Sequence, residues 1–255
     1  MKTPNDTGMN RTGIRTSPIE SKLAERAAEE ALPTSIGGES ELAAVRLAHA
    51  RASEPVGSMP PPTTLKGVAK TTVTLLKGEN PMLLLNKLGE RLAFERSGVR
   101  LYEAVIDKLP AFVDSDGSAV GPGIADLRSI QEDELRHVDV VRRAIEQLGG
   151  DATAMTPAAD VSGVTGMGLM QVACDPRMQL AESLQALLTA ELVDNEGWEL
   201  LIHLARGLGQ HDMLASFTQA SDQERRHLLR VRAWLTALAM HDAGIESEAP
   251  APPPA

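Results

Sequence analysis

The chain has 255 residues, a formal charge of −10 and one cysteine. It can bury one good hydrophobic core, and its acidic balance argues against a nucleic-acid partner, which would call for a basic face. A single thiol excludes an intramolecular disulfide, a Cys-x-x-Cys pair and an all-cysteine zinc or iron–sulfur site. Aromatics are only 2% of a chain that is 42% hydrophobic, so the apolar content is mainly aliphatic and an all-α protein is expected.

Residues 1–17 are polar and glycine-dotted, with no apolar run of signal-peptide length. No stretch reaches the roughly 18 uninterrupted apolar residues of a membrane span, so a cytoplasmic protein without a membrane partner is expected. Ser17-Pro18 reads as an N-cap followed by proline at the first helical position, opening a short helix that Pro33 ends. A second short helix is expected over about 40–52, a stiff linker at Met59-Pro60-Pro61-Pro62, and one more amphipathic helix over 63–77. Residues 1–80 thus form an N-terminal extension, part helical and part irregular, with no visible chemistry.

The main domain, 81–242, opens at Asn80-Pro81, again a cap and a proline. A first long helix is predicted over 81–109, with the stripe Leu85, Leu88, Leu92, Glu95, Val99, Tyr102, Ile106. A polar loop (114–123) leads to a second, over 124–148, with the stripe Leu127, Ile130, Val141, Ile145, Leu148. Gly149-Gly150 stops it. A long connection, 151–174, follows; its glycine-broken, Met-rich middle (163–170) is expected to cover one end of the domain. The third long helix is predicted over 177–206, with the stripe Leu180, Leu184, Leu187, Glu191, Trp198, Leu201, Ala205. The fourth spans 212–240, with Phe217, Ala220, Val231, Trp234, Leu238. Residues 243–255 end in a Pro/Ala-rich tail expected to be disordered.

Acid interrupts the apolar face of every long helix. Glu134 and His137 stand one turn apart on the second, and Glu224 and His227 repeat that Glu-x-x-His spacing on the fourth; Glu95 and Glu191 stand alone on the first and third. Removing a carboxylate from water without a partner costs several kcal/mol, so each acid needs a paired charge or a metal. Glu95 precedes Glu134 by 39 residues and Glu191 precedes Glu224 by 33, so two antiparallel hairpins bring the acids to similar depth. This is the pattern of a di-iron or di-manganese carboxylate bundle. Four carboxylates neutralise two divalent ions, and one imidazole per ion leaves positions open for an oxidant. The metal ligands are read as Glu95, Glu134, His137, Glu191, Glu224 and His227, with Glu134 and Glu224 bridging and Glu95 and Glu191 terminal. The competing reading is that of surface helix charges or a residual acid network, which would not place acids on the Leu/Val face.

The segments LNKLGERLAFERSGVRLYEAV, EDELRHVDVVRRAIEQLGG, LTAELVDNEGWELL and SDQERRHLLRVRAWL resemble the four metal-bearing helices of the ferritin-like superfamily, such as bacterioferritins and rubrerythrins. Over residues 81–242 the resemblance implies a left-handed four-helix bundle with a non-haem centre of two iron ions, or of manganese and iron, on the same six residues. It implies reaction with dioxygen or hydrogen peroxide, as in iron oxidation or oxidative-stress defence. With one cysteine there is no rubredoxin-type iron site, so the electron donor is unknown; a homo-oligomer, at simplest a dimer, is expected. Two other readings stand beside this one: a di-iron oxygenase or oxidase of a small molecule, and a metal-free structural or stress-response bundle.

Tyr102, the only tyrosine, lies two turns from Glu95, where it serves either a metal carboxylate (by hydrogen bond or electron transfer) or ordinary core packing. Asp133 and Gln223, each preceding the Glu of its Glu-x-x-His, either orient the imidazole of the opposite helix or face solvent. Asp194 is the reserve ligand, and Glu196 is expected to face outward. His49, His203, His211 and His241 read as surface residues, Met167 and Met170 as core filling, and Cys174 as a small buried residue.

Overall fold

A computed structural model of the chain describes residues 39–60, 80–112 and 120–245, together with Lys22, Arg26 and Glu30. Of the helix expected over 17–32 only those three single residues are described, each helical. The helix expected over 63–77, most of the 114–123 loop and the tail from 246 lie outside the described residues. Six α-helices with defined bounds, and no strand, occur among the described residues, so the protein is all-α: α1 Glu39–Ala52, α2 Pro81–Lys108, α3 Ile124–Gln147, α4 Pro157–Cys174, α5 Leu180–Gly207 and α6 His211–Asp242. A short 3-10 turn, Leu109–Phe112, ends α2. None of these helices is long and apolar enough to cross a membrane.

The chain divides into two compact units, Met1–Pro55 and Val56–Ala255. In the first, α1 exposes its side chains from Ser40 to Ala52. The second holds the other five helices.

In the larger unit α2, α3, α5 and α6 share one core. Helix α3 runs antiparallel to α2: Gln131 donates to the Val99 carbonyl, while Gly150 at the far end meets Leu85. Helix α6 runs antiparallel to α5, with Asn195 donating to the Glu224 carbonyl and Ser221 to Glu199. Leucine, the main apolar residue of these stripes, is a strong helix former, and its spacing leaves one continuous face to bury. The core falls into two halves. One gathers Leu84, Leu88, Leu92, Val141, Trp198 and Phe217, the other Leu101, Tyr102, Ile130, Leu187, Val231 and Trp234. Glu95, Glu134, His137, Glu191, Glu224 and His227, all buried, belong to neither half, and each follows or precedes members of both along its own helix.

The connection over 151–174 is not an irregular cover at one end. Residues Pro157–Cys174 form α4, which lies along α2 in the same direction. Its first turn is pinned at Asn86 and Gly89: the Thr156 hydroxyl caps α4 and donates to the Asn86 carbonyl, and the Asn86 side chain accepts from the Ala158 N–H at 2.9 Å. Near its end Lys108 reaches the carbonyls of Asp175 and Met178. Docking at both ends outweighs the helix-breaking tendency of Gly163, Gly166 and Gly168. Helix α5 starts at Leu180, with a Gln179–Glu182 capping box, and not at residue 177. Two minor expectations also change: Cys174 is exposed, and Met167 faces solvent, although Met170 packs against the core.

Candidate metal centre

The six predicted residues converge. Glu95, Glu134, His137 and Glu224 bring four ligand atoms within 4.8 Å of one another, and Glu134, Glu191, Glu224 and His227 do the same. Each set is three carboxylates and one imidazole, a donor group that can hold a metal ion. The two sets overlap at Glu134 and Glu224, the pair read as bridging. The i,i+3 spacing of Glu134 with His137 and of Glu224 with His227 puts each pair on one helical face, one turn apart.

Both histidines turn Nδ1 toward the carboxylates. His137 Nδ1 is 2.5 Å from Glu224 Oε1 and 3.7 Å from Glu95 Oε2. His227 Nδ1 is 3.3 Å from Glu224 Oε2 and 3.7 Å from Glu134 Oε1. Their Nε2 atoms are held from outside and across helices, His227 by Asp133 at 3.1 Å and His137 by Gln223 at 3.2 Å. Asp133 and Gln223 therefore orient the imidazoles of the opposite helices, and Gln223 also donates to Asp133 at 2.5 Å. An Nε2–H committed outward leaves Nδ1 as the inward donor.

Oε2 of Glu95, both oxygens of Glu134 and Oε2 of Glu191 are buried without a hydrogen-bond partner, and Oε1 of Glu95 has the Arg91 guanidinium beside it. Unpartnered buried carboxylate oxygens pointing at one another are costly unless a cation or protons take up their charge, which is the environment a divalent ion relieves. Burial, and then the charge of Asp194, pushes Glu95 well above the ordinary carboxylate range; burial and Glu224 do the same for Glu191. Glu224 goes the other way. Burial opposes its ionisation, but His137 and His227 outweigh it and hold the carboxylate at about 2. Burial lowers both histidines, yet hydrogen bonding raises them: Glu224 is the main partner of His137, and Asp133 that of His227, which lies well above its usual value. Protons on the imidazoles thus offset negative charge that metal ions would otherwise balance.

Tyr102 sits in the core and donates a short hydrogen bond to Glu191 Oε1. Asp194, the reserve ligand, is engaged elsewhere: it lies 3.0 Å from Arg91, a buried arginine whose Nε is also 3.1 Å from Glu95 Oε1. Sequence reading missed Arg91. Its only local trace is an i,i+4 Arg–Glu spacing, which on most helices marks a solvent-exposed pair. It also missed two glycines that make room. A Cβ at Gly98 would come 2.5 Å from Glu134 Oε2, and one at Gly197 would come 2.0 Å from Arg91 Nη1. The Trp198 ring meets His137 edge-on, with centroids 5.5 Å apart. Glu196, His49, His203, His211 and His241 are exposed, as expected. No protein-family model, curated protein or solved structure matches the chain, so the donor geometry alone carries the functional argument.

Proposed function

We propose that residues 81–242 form a ferritin-like four-helix bundle whose dinuclear metal centre reacts with dioxygen or hydrogen peroxide, the ions being two irons or manganese and iron. The observation that carries this reading is the overlap of two donor sets, each with three carboxylates and one imidazole, at Glu134 and Glu224. Four carboxylates balance two divalent ions. When bound, such ions supply electrons to an oxidant at positions the protein leaves open.

The chain's own residues do the rest. Glu134 and Glu224, common to both donor sets, would serve both ions, and Glu95 and Glu191 would each serve one. His137 and His227 would offer Nδ1 to a metal while Gln223 and Asp133 hold their Nε2–H groups. Tyr102 holds Glu191 through its hydroxyl, and the two apolar core halves keep bulk water from the acids. A small oxidant suits this site better than a large organic substrate. The cavity between α2, α4 and the 150–156 turn, about 100 Å³, is lined by Leu92, Ala93 and Arg96 but by none of the six ligands.

The test is anaerobic titration of metal-free protein with ferrous iron, followed by peroxide or oxygen. Two ions per chain, oxidised on addition of the oxidant, are expected, with binding lost in Glu134→Gln and Glu224→Gln. Protein that takes up neither iron nor manganese would overturn the proposal.

A further inference from the structure

We propose that the two metal positions are unequal: the one at Glu191 and His227 retains its ion, and the one at Glu95 and His137 exchanges it. This rests on the reading of the site as a dinuclear centre. Two independent features of the surrounding residues point the same way.

The first is what holds each imidazole. His227 Nε2 faces a carboxylate oxygen of Asp133 at 3.1 Å, whereas His137 Nε2 faces the neutral amide oxygen of Gln223 at 3.2 Å. A carboxylate acceptor draws the Nε2 proton harder than an amide does and pushes electron density onto Nδ1, so His227 is the stronger metal donor. The difference comes from one residue: the chain reads Asp-Glu-x-x-His in α3 and Gln-Glu-x-x-His in α6, and the support crosses between helices.

The second is what holds each terminal carboxylate. Glu95 has the buried guanidinium of Arg91 at 3.1 Å, a fixed cation that competes with a metal for the same charge. Arg91 is shared with Asp194, which dilutes this competition without removing it. Glu191 accepts instead from the neutral phenol of Tyr102, which does not compete with a metal for its charge. The weaker imidazole and the weaker carboxylate belong to the same donor set, so their effects add. An exchangeable position beside a retained ion suits a centre that takes up ferrous iron as its substrate, not one that keeps both ions resident.

Changing what supports a metal-bound histidine shifts metal affinity by about tenfold to a hundredfold, which sets the expected gap between the two binding steps. Metal-free protein would be titrated anaerobically with cobalt(II), followed by its visible absorption, and in parallel with ferrous iron, counting ions per chain after desalting. Two steps at least tenfold apart are expected; Glu95→Gln removes the weaker and Glu191→Gln the tighter. The paired exchange Asp133→Asn with Gln223→Glu conserves charge and the hydrogen bond between the two side chains, and should reverse the order of filling. Thermal melting of the metal-free variants checks that they fold. If the paired exchange does not fold, Asp133→Asn alone decides, with the gap expected to shrink severalfold. Two equal steps, or loss of the tighter step in Glu95→Gln, would overturn the inequality and leave the dinuclear reading intact; absence of binding in the unaltered protein would sink both.

Discussion

Gly98 shows how closely the centre is packed. It sits three residues after Glu95 on the buried face of α2, and a Cβ there would lie 2.5 Å from Glu134 Oε2 and 3.2 Å from its carboxyl carbon. In an ordinary helix position, Gly→Ala gains about 0.5–1 kcal/mol. Here the methyl group must displace a carboxylate shared by both donor sets. Gly98→Ala is therefore expected to keep or raise the helicity of the metal-free protein while weakening metal binding by tenfold or more, as read by ferrous titration beside circular dichroism. Unchanged affinity would mean that Glu134 has another place to go. The acids themselves were legible from sequence, because a carboxylate on a Leu/Val stripe is a local contradiction. Arg91 and Gly98 were not, since Arg91 pairs with Asp194 on α5, and Gly98 matters only through Glu134 on α3.

Among the elements, α4 is where local propensity and tertiary structure disagree. Gly163, Gly166 and Gly168 dominate its middle, and Val161, Val164 and Met167 face outward, so the sequence reads as a broken connection. The Thr156-Pro157 start carries the same cap-and-proline signature as Asn80-Pro81, and it was the signal to follow. A Cβ at any of the three glycines meets nothing within 4 Å, and none of them has a positive φ. Alanine at all three should therefore stabilise the protein by about 0.5–1 kcal/mol per site through backbone entropy and helix propensity. Urea denaturation would measure this, with metal stoichiometry unchanged; a loss of stability would mean that α4 does not persist as a helix in solution.

For the whole molecule, the buried charge sets how stability depends on pH. Glu95, Glu134 and Glu191 are raised by burial first and then by neighbouring carboxylates, and the hydrogen bonds made by His137 and His227 raise them against burial. Groups raised in the folded state bind more protons than the unfolded chain does. Their stabilisation is complete below the unfolded values and is lost as pH rises through the folded ones. Glu224, held at about 2, contributes above its ordinary 4.5 and fades only as pH falls toward 2, outside the range of interest. The metal-free protein should thus melt at progressively lower temperature from about pH 5 to pH 8. Bound metal replaces those protons and should abolish or reverse the slope, which calorimetry with and without manganese(II) would show.

The division between local and tertiary information follows from these cases. Four long helices, their apolar stripes and the six acids and imidazoles that interrupt those stripes were determined by the sequence alone, because apolar periodicity and its interruption are properties of ten to thirty consecutive residues. The tertiary structure decided what those ligands lean on. Asp133 meets His227 across 94 residues and Arg91 meets Asp194 across 103, and no local pattern sets such a pairing. Only the packing of four helices against one another selects which aspartate, amide or guanidinium ends up behind each of the six buried acids and imidazoles.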